Sequence, residues 1–258
     1  MPEDNQPTPP PDRPIEAPRP SGLLVVDKPE GPSSMAAVAA VRRRFRAFGK
    51  VKVGHGGTLD PLASGVLVLG VGSATRMLER VVAADKRYRT AVDLSAFTTT
   101  DDREGVRTEL AVDTPPSEAS VREALSSFSG IVQQRPPAFS AIKVNGRRSY
   151  RLARDGAPPE LPARPVRIDE VRLVSYRWPI AELDIRCGKG VYVRSIARDL
   201  GCLLGVGGHC AWLRRTAVGI YDESLARPLD ELPETLGPED LLATPDSRAS
   251  RAADRSAR

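Results

Sequence analysis

The segment that most restricts this chain is Val53–Leu69, VGHGGTLDPLASGVLVL. Gly54, Gly56, Gly57 and Gly65 crowd around a single acid, Asp60, and Pro61 follows it directly. A proline pushes the residue before it out of the α region, and glycines admit positive φ and close approach of other groups. The pattern describes a bent, tightly packed loop. Such a loop either presents one carboxylate in a cleft or is a glycine-rich turn whose aspartate caps a helix. It is no Walker loop, because no Gly-Lys-Ser/Thr follows. Val66–Val71, the apolar run behind it, fits a buried strand or a helix core, since periodicity does not separate the two. That run is far shorter than the ~20 residues of a membrane helix.

Elements of both kinds surround this segment. Gly22–Asp27 (GLLVVD) reads as a strand stopped by Lys28-Pro29. Ser33 and Ser34 can cap a helix carrying Val38, Val41 and Phe45 on one face. Arg87–Leu94 alternates, with Tyr88, Thr90, Val92 and Leu94 on one side. Ser117 opens a second helix, with Val121, Leu125 and Phe128 inward and an end near Gly130. Phe139–Val144 leads into Asn145-Gly146, a strong hairpin signal. Leu183, Ile185 and Cys187 alternate in a further strand before a Gly-Lys-Gly turn, and Val191–Leu204 has helical period. Hairpins outnumber strand–helix–strand units, so the expected class is α+β with a mainly antiparallel mixed sheet flanked by helices.

The two ends differ from the middle. Eight of the 24 prolines lie in residues 1–20, and residues 243–258 are mostly Ala, Ser, Arg and Asp. Neither stretch can bury enough surface to offset its ordering entropy. Both are expected as disordered tails around one folded domain, 21–242. The N-terminal stretch lacks a basic and apolar leader pattern, and a cytoplasmic protein with no membrane contact is expected. Cys187, Cys202 and Cys210 form an odd set without C-x-x-C spacing, so reduced, buried thiols are expected. Cys202, His209 and Cys210 fit none of the usual zinc spacings, and no metal is expected. The net charge of +5 suits a phosphate-bearing partner.

Two further segments carry candidate chemistry. On a helix starting near Val191, Arg194 and Arg198 lie four apart on one face while Ile196 and Leu200 turn inward. Arg198 with Asp199 reads as a solvated pair. Arg194 paired with Asp60 would orient that carboxylate and favour its charged form, although spacing alone does not bring the two together. In Lys86–Arg89, KRYR, Tyr88 is either a core tyrosine with its hydroxyl at the surface or a base-stacking platform beside phosphate contacts. His55, alone among glycines, fits a structural or a functional role.

Taken together, GHGGTLDPLASGVL (Gly54–Leu67), DKRYR (Asp85–Arg89) and KGVYVRSIARDLG (Lys189–Gly201) resemble the bacterial TruB family of tRNA pseudouridine synthases. VVDKPEGPSS (Val25–Ser34), RPPAFSAIKVNGRRSYRLARDG (Arg135–Gly156) and LRRTAVG (Leu213–Gly219) extend the likeness in order across about residues 22–242. The resemblance implies the pseudouridine synthase fold with a central active-site cleft. It implies Asp60 as the catalytic aspartate, Tyr88 as the tyrosine that stacks on the target base, and Arg194 as the arginine paired with the aspartate. Substrate-binding places for His55, Tyr192 and Lys28 are implied as well.

The implied reaction converts the uridine at position 55 of the tRNA T loop to pseudouridine. The base leaves its stack, the N1–C1′ bond breaks and C5 is joined instead, without a cofactor. A monomer acting on the tRNA T-arm, with no obligate protein partner, is expected. Two departures from the family pattern stand out. Thr99 occupies the place of an acid in a Gly-x-x-Thr-Asp-Thr pattern, although Asp102 and Glu104-Gly105 fit. Too few residues follow Leu242 for the RNA-binding PUA domain that many members carry, so a short form with weaker tRNA binding is expected. Two other readings stay open, a non-catalytic tRNA-folding chaperone and a synthase of the same fold acting on another RNA. A sugar-cleaving hydrolase fits poorly, since such chemistry normally uses two carboxylates.

Overall fold

The computed structural model describes residues 19–243. The tails expected over 1–20 and 243–258 lie almost wholly outside these residues; Pro20, which is described, is buried with its carbonyl against Gly72. The strands are β1 Gly22–Lys28, β2 Val53–His55, β3 Ala63–Val71, β4 Lys86–Asp93, β5 Ala96–Thr98, β6 Arg107–Glu109 and β7 Gly130–Gln134. They continue with β8 Lys143–Val144, β9 Arg147–Arg148, β10 Arg164–Arg177, β11 Ile180–Cys187, β12 His209–Val218, β13 Tyr221–Asp222 and β14 Arg227–Pro228. The helices are α1 Ser34–Arg44, α2 Leu78–Ala83, α3 Glu118–Ser126, α4 Ser149–Arg154 and α5 Val193–Leu204.

Ten strands build one sheet in the order β14-β1-β3-β12-β4-β11-β10-β7, with β2 added on β3 and β13 on β12. Every pairing in it is antiparallel except β1 with β14 and β12 with β3. The chain is therefore α+β with a mixed, mainly antiparallel sheet, as expected. Val66–Val71 lies in β3, between β1 and β12. Leu67, Leu69 and Val71 enter the main core, while Val66 and Val68 enter a second apolar cluster on the opposite face. A strand covered on both sides shows no polar alternation, which is why its period is hidden in the sequence.

Helix α1 starts where the serines place it, with Ser33 Oγ accepting from Ala36 N at 3.1 Å, and it buries Ala37, Val38 and Val41 with Phe45 just beyond its end. Ser117 caps α3 in the same way. Helix α5 buries Ile196, Ala197 and Leu200 against the sheet and stops at Gly205, whose φ of +68° only glycine adopts freely. Asn145-Gly146 does turn a hairpin, both residues having positive φ, but its strands are only two residues each. Residues 139–142 are not strand, because they are held to other segments instead. Of the cysteines, Cys187 and Cys210 are buried. Cys202 corrects the expectation: it is exposed, since the inward face of α5 is already filled.

Candidate active site

The loop from β2 to β3 carries Asp60 and is clamped from two sides. Ser34, at the start of α1, donates its hydroxyl to Leu59 O at 2.8 Å and accepts from Leu59 N at 2.7 Å. On the other side Arg215, buried on β12, donates to the carbonyls of Val66, Thr58 and Gly57 at 2.8, 3.2 and 3.3 Å. Gly65 makes this possible. Its φ is +105°, and a Cβ there would stand 2.2 Å from Arg215 O. Only glycine lets β12 run so close, and that closeness puts the guanidinium under the loop.

Arg194 meets Asp60. Its Nη2 lies 2.9 Å from Asp60 Oδ2 and donates to Phe139 O at 2.9 Å. Its Nη1 donates to Thr100 O at 3.0 Å and to Asp102 Oδ2 at 3.3 Å. The arginine side chain is 4 % exposed and that of Asp102 5 %, whereas Asp60 is 33 % exposed. One buried cation thus bridges a buried carboxylate and an accessible one. Burial works against the Arg194 charge, but Asp60, Asp102 and Asp101 outweigh it and raise the arginine's pKa. Asp102 is itself held by Thr100 Oγ1 at 2.6 Å and Glu104 N at 3.1 Å. Arg198 does more than form a surface pair with Asp199. It also binds Asp101, at 2.8 Å, in the same loop.

Asp60, Tyr88, Tyr192 and Arg194 line one cavity of about 250 Å³, together with Lys86 and Leu213. Burial raises the Tyr88 phenol pKa, against the pull of the Arg215 charge. Tyr192 leads into α5. Its backbone N–H donates to Gln134 Oε1 at 2.8 Å, and the Arg164 guanidinium stands 5.6 Å from its ring centroid. Two of the six expected residues do not line the cavity. His55 is half-buried at the end of β2, where burial and then the Arg215 charge lower its pKa, and its buried Nδ1 has no hydrogen-bond partner among the described residues. Lys28 is fully buried and donates Nζ to Pro29 O at 2.7 Å and Pro32 O at 2.9 Å. Burial pulls its pKa down to about 8, against the attraction of Asp60. Thr99 is exposed, and its hydroxyl accepts from Val106 N at 3.1 Å.

The sequence pattern left three contributors unassigned: Arg215, Lys86 and Asp102 as the second partner of Arg194. Lys86 donates Nζ to Val82 O at 2.5 Å and Ala84 O at 2.6 Å, tying the end of α2 to β4. A signal for Arg215 existed, because a charge falls on the inward side of a strand between Leu213 and Ala217. Such a residue needs partners that sequence alone does not name.

Comparison with known proteins gives the family. A family model described as TruB family pseudouridylate synthase (N terminal domain) matches residues 43–193, and one described as tRNA pseudouridylate synthase B C-terminal domain matches residues 194–242. The tRNA pseudouridine synthase B of Leifsonia xyli is 48 % identical over 219 residues, covering 82 % of this chain and 72 % of that protein. The protein of the same name from Corynebacterium diphtheriae is 45 % identical over 224 residues, covering 83 % and 73 %. Among solved structures, a chain of a Cbf5-Nop10-Gar1 complex superposes with a TM-score of 0.60 at 28 % identity, over 78 % of this chain and 50 % of that one. A chain of the archaeal box H/ACA sRNP Nop10-Cbf5 complex gives the same TM-score at 27 % identity, over 85 % and 55 %. This chain spans about half the length of those two.

Proposed function

The chain belongs to the TruB family of pseudouridylate synthases, whose members isomerise uridine to pseudouridine in tRNA, and from that premise we propose that its cavity receives the T-loop uridine at position 55. Unstacking that base costs roughly a few kcal/mol, least in a loop. Tyr88 stacks on the extruded base, and Asp60 acts at the ribose to break N1–C1′. The base turns, a C1′–C5 bond forms, the C5 proton passes to solvent and N1 takes one up. Electrons balance without an oxidant or reductant. Nucleophilic and proton-abstracting versions of the Asp60 step both use the ionised carboxylate.

One observation carries this reading. The Asp60 carboxylate is the accessible member of the Asp60–Arg194–Asp102 set and borders the cavity that Tyr88 also lines. Arg194 orients it. Tyr192 borders the base, and His55, outside the cavity, is assigned to the T loop around the flipped nucleotide. Lys28 acts on Asp60 through its charge alone, since its protons go to backbone carbonyls. We assign the enzyme to the cytoplasm, as a monomer on the T-arm with no obligate protein partner.

The test is tritium release from a tRNA transcript labelled at uridine C5. Release that disappears when uridine 55 is replaced by cytidine supports the proposal. Release that survives the replacement points to another target uridine. Tight binding with no release at all supports a tRNA-folding chaperone instead.

A further inference from the structure

Between Glu30 and Asp60 the chain contains no acid, and six of the eleven residues from Arg42 to Lys52 are basic. These six fall in one corner of the fold. They occupy the last turn of α1, the short 3₁₀ turn Arg46–Phe48 behind it and the stretch entering β2, on which α1 packs. Arg44 is used internally, donating to the carbonyls of Pro233, Ala40 and Leu229. Arg42, Arg43, Arg46, Lys50 and Lys52 are exposed and, among the described residues, make no side-chain hydrogen bond or ion pair. Asp230, Glu231 and Glu234 lie in the segment that Arg44 pins, yet none of them pairs with these five.

A helix C-terminus favours the cations of its last turn by a few tenths of a kcal/mol to about 1 kcal/mol, which covers Arg42 and Arg43 at most. Arg46, Lys50 and Lys52 have no such reason to be grouped. Five like charges held together repel one another, and a polyanion relieves that repulsion while releasing its own counterions. Position says which polyanion. Helix α1 begins at Ser34, bonded to Leu59 next to Asp60. At 1.5 Å per residue it carries the chain about 15 Å from that point to Arg44. The end of α1 is therefore set back from the cavity. An A-form duplex rising from the loop of a nucleotide held there covers the distance within a few base steps.

We propose that this corner is a phosphate-binding platform for the stem of the substrate RNA, reading charge and shape without base contacts. The inference rests on the reading of the substrate as tRNA. It assigns the platform to affinity and leaves the chemical step to the cavity.

The test replaces all five side chains with glutamine (Arg42→Gln, Arg43→Gln, Arg46→Gln, Lys50→Gln, Lys52→Gln) and measures tRNA binding by filter retention across a salt series. At about 0.7–0.9 per phosphate contact, the slope of log K against log salt becomes shallower by about 3.5–4.5, and Kd at 100 mM salt rises at least tenfold. Turnover at saturating tRNA stays at the wild-type value. Exchanging the five residues lysine for arginine and arginine for lysine keeps wild-type affinity, because charge is what matters. An unchanged slope, a fall in kcat, or a loss shared by the charge-conserving exchange overturns the proposal. If the five-fold variant does not fold, Lys50→Gln with Lys52→Gln alone is expected to reduce the slope by about 1.5, and an unchanged slope there overturns it equally. Filter retention needs no catalysis. A wild-type enzyme that releases no tritium therefore refutes the proposed reaction, while the slope still decides the platform.

Discussion

Replacing Arg194 with methionine should cost the fold more than any change at the surface. The side chain is 4 % exposed and sits between Asp60 and Asp102, with further bonds to the carbonyls of Thr100 and Phe139. Methionine fills much of the same volume but leaves the buried Asp102 carboxylate without its cation. Removing one partner of a buried pair costs about 3–5 kcal/mol, which for a domain of this size lowers Tm by roughly 6–20 °C. The pH dependence gives the mechanism away. A stranded buried carboxylate takes up a proton in the native variant before it does so in the unfolded chain, so the variant's stability rises as pH falls. The deficit measured by urea unfolding should therefore be largest at pH 7 and shrink towards pH 5. Adding Asp102→Asn should recover about 1–2 kcal/mol, since a neutral amide oxygen can still accept from Thr100 and Glu104. A deficit below about 1 kcal/mol at pH 7, or one that does not change with pH, refutes the reasoning.

Two other expectations concern the residues around the Asp60 loop. Gly65→Ala introduces a Cβ 2.2 Å from Arg215 O at a φ of +105°, so a loss of about 3 kcal/mol or more is expected in chemical unfolding; a loss within 0.5 kcal/mol shows that β12 need not approach so closely. Lys28 has a folded pKa of about 8, below the ordinary 10.5. Between those values the unfolded chain binds the extra proton, so the residue's contribution rises with pH by up to about 3 kcal/mol. Lys28→Met should flatten that rise between pH 8 and 10, and parallel profiles for the two proteins contradict the burial argument.

Local signals in the sequence were legible wherever one residue decides a local conformation. Ser33 and Ser117 mark helix starts, and Asn145-Gly146 marks a turn. The alternation of Tyr88, Thr90 and Val92 marks a strand with one inward face. Val66–Val71 was ambiguous for a physical reason, since both of its faces are buried. Residues 139–142 look like the first arm of a hairpin. The Ser140 and Phe139 carbonyls instead serve Tyr150 and Arg194, contacts that no local pattern encodes. The site divides along the same line. Asp60 is conspicuous among its glycines, but its meeting with Arg194 is a product of sheet order, and Arg215 lies hidden in a strand until its three carbonyl partners come together from the loop and β3.

The central claim is that the accessible carboxylate of Asp60 performs the chemistry. Asp60→Asn keeps the shape and removes the charge, so the decisive measurement compares it with the wild type in single-turnover tritium release, with tRNA affinity measured alongside. The account predicts tRNA binding within a few-fold of wild type and a release rate lower by at least about three orders of magnitude, about 4 kcal/mol of transition-state stabilisation. Release by Asp60→Asn at a rate near that of the wild type contradicts it and moves the chemistry to another residue.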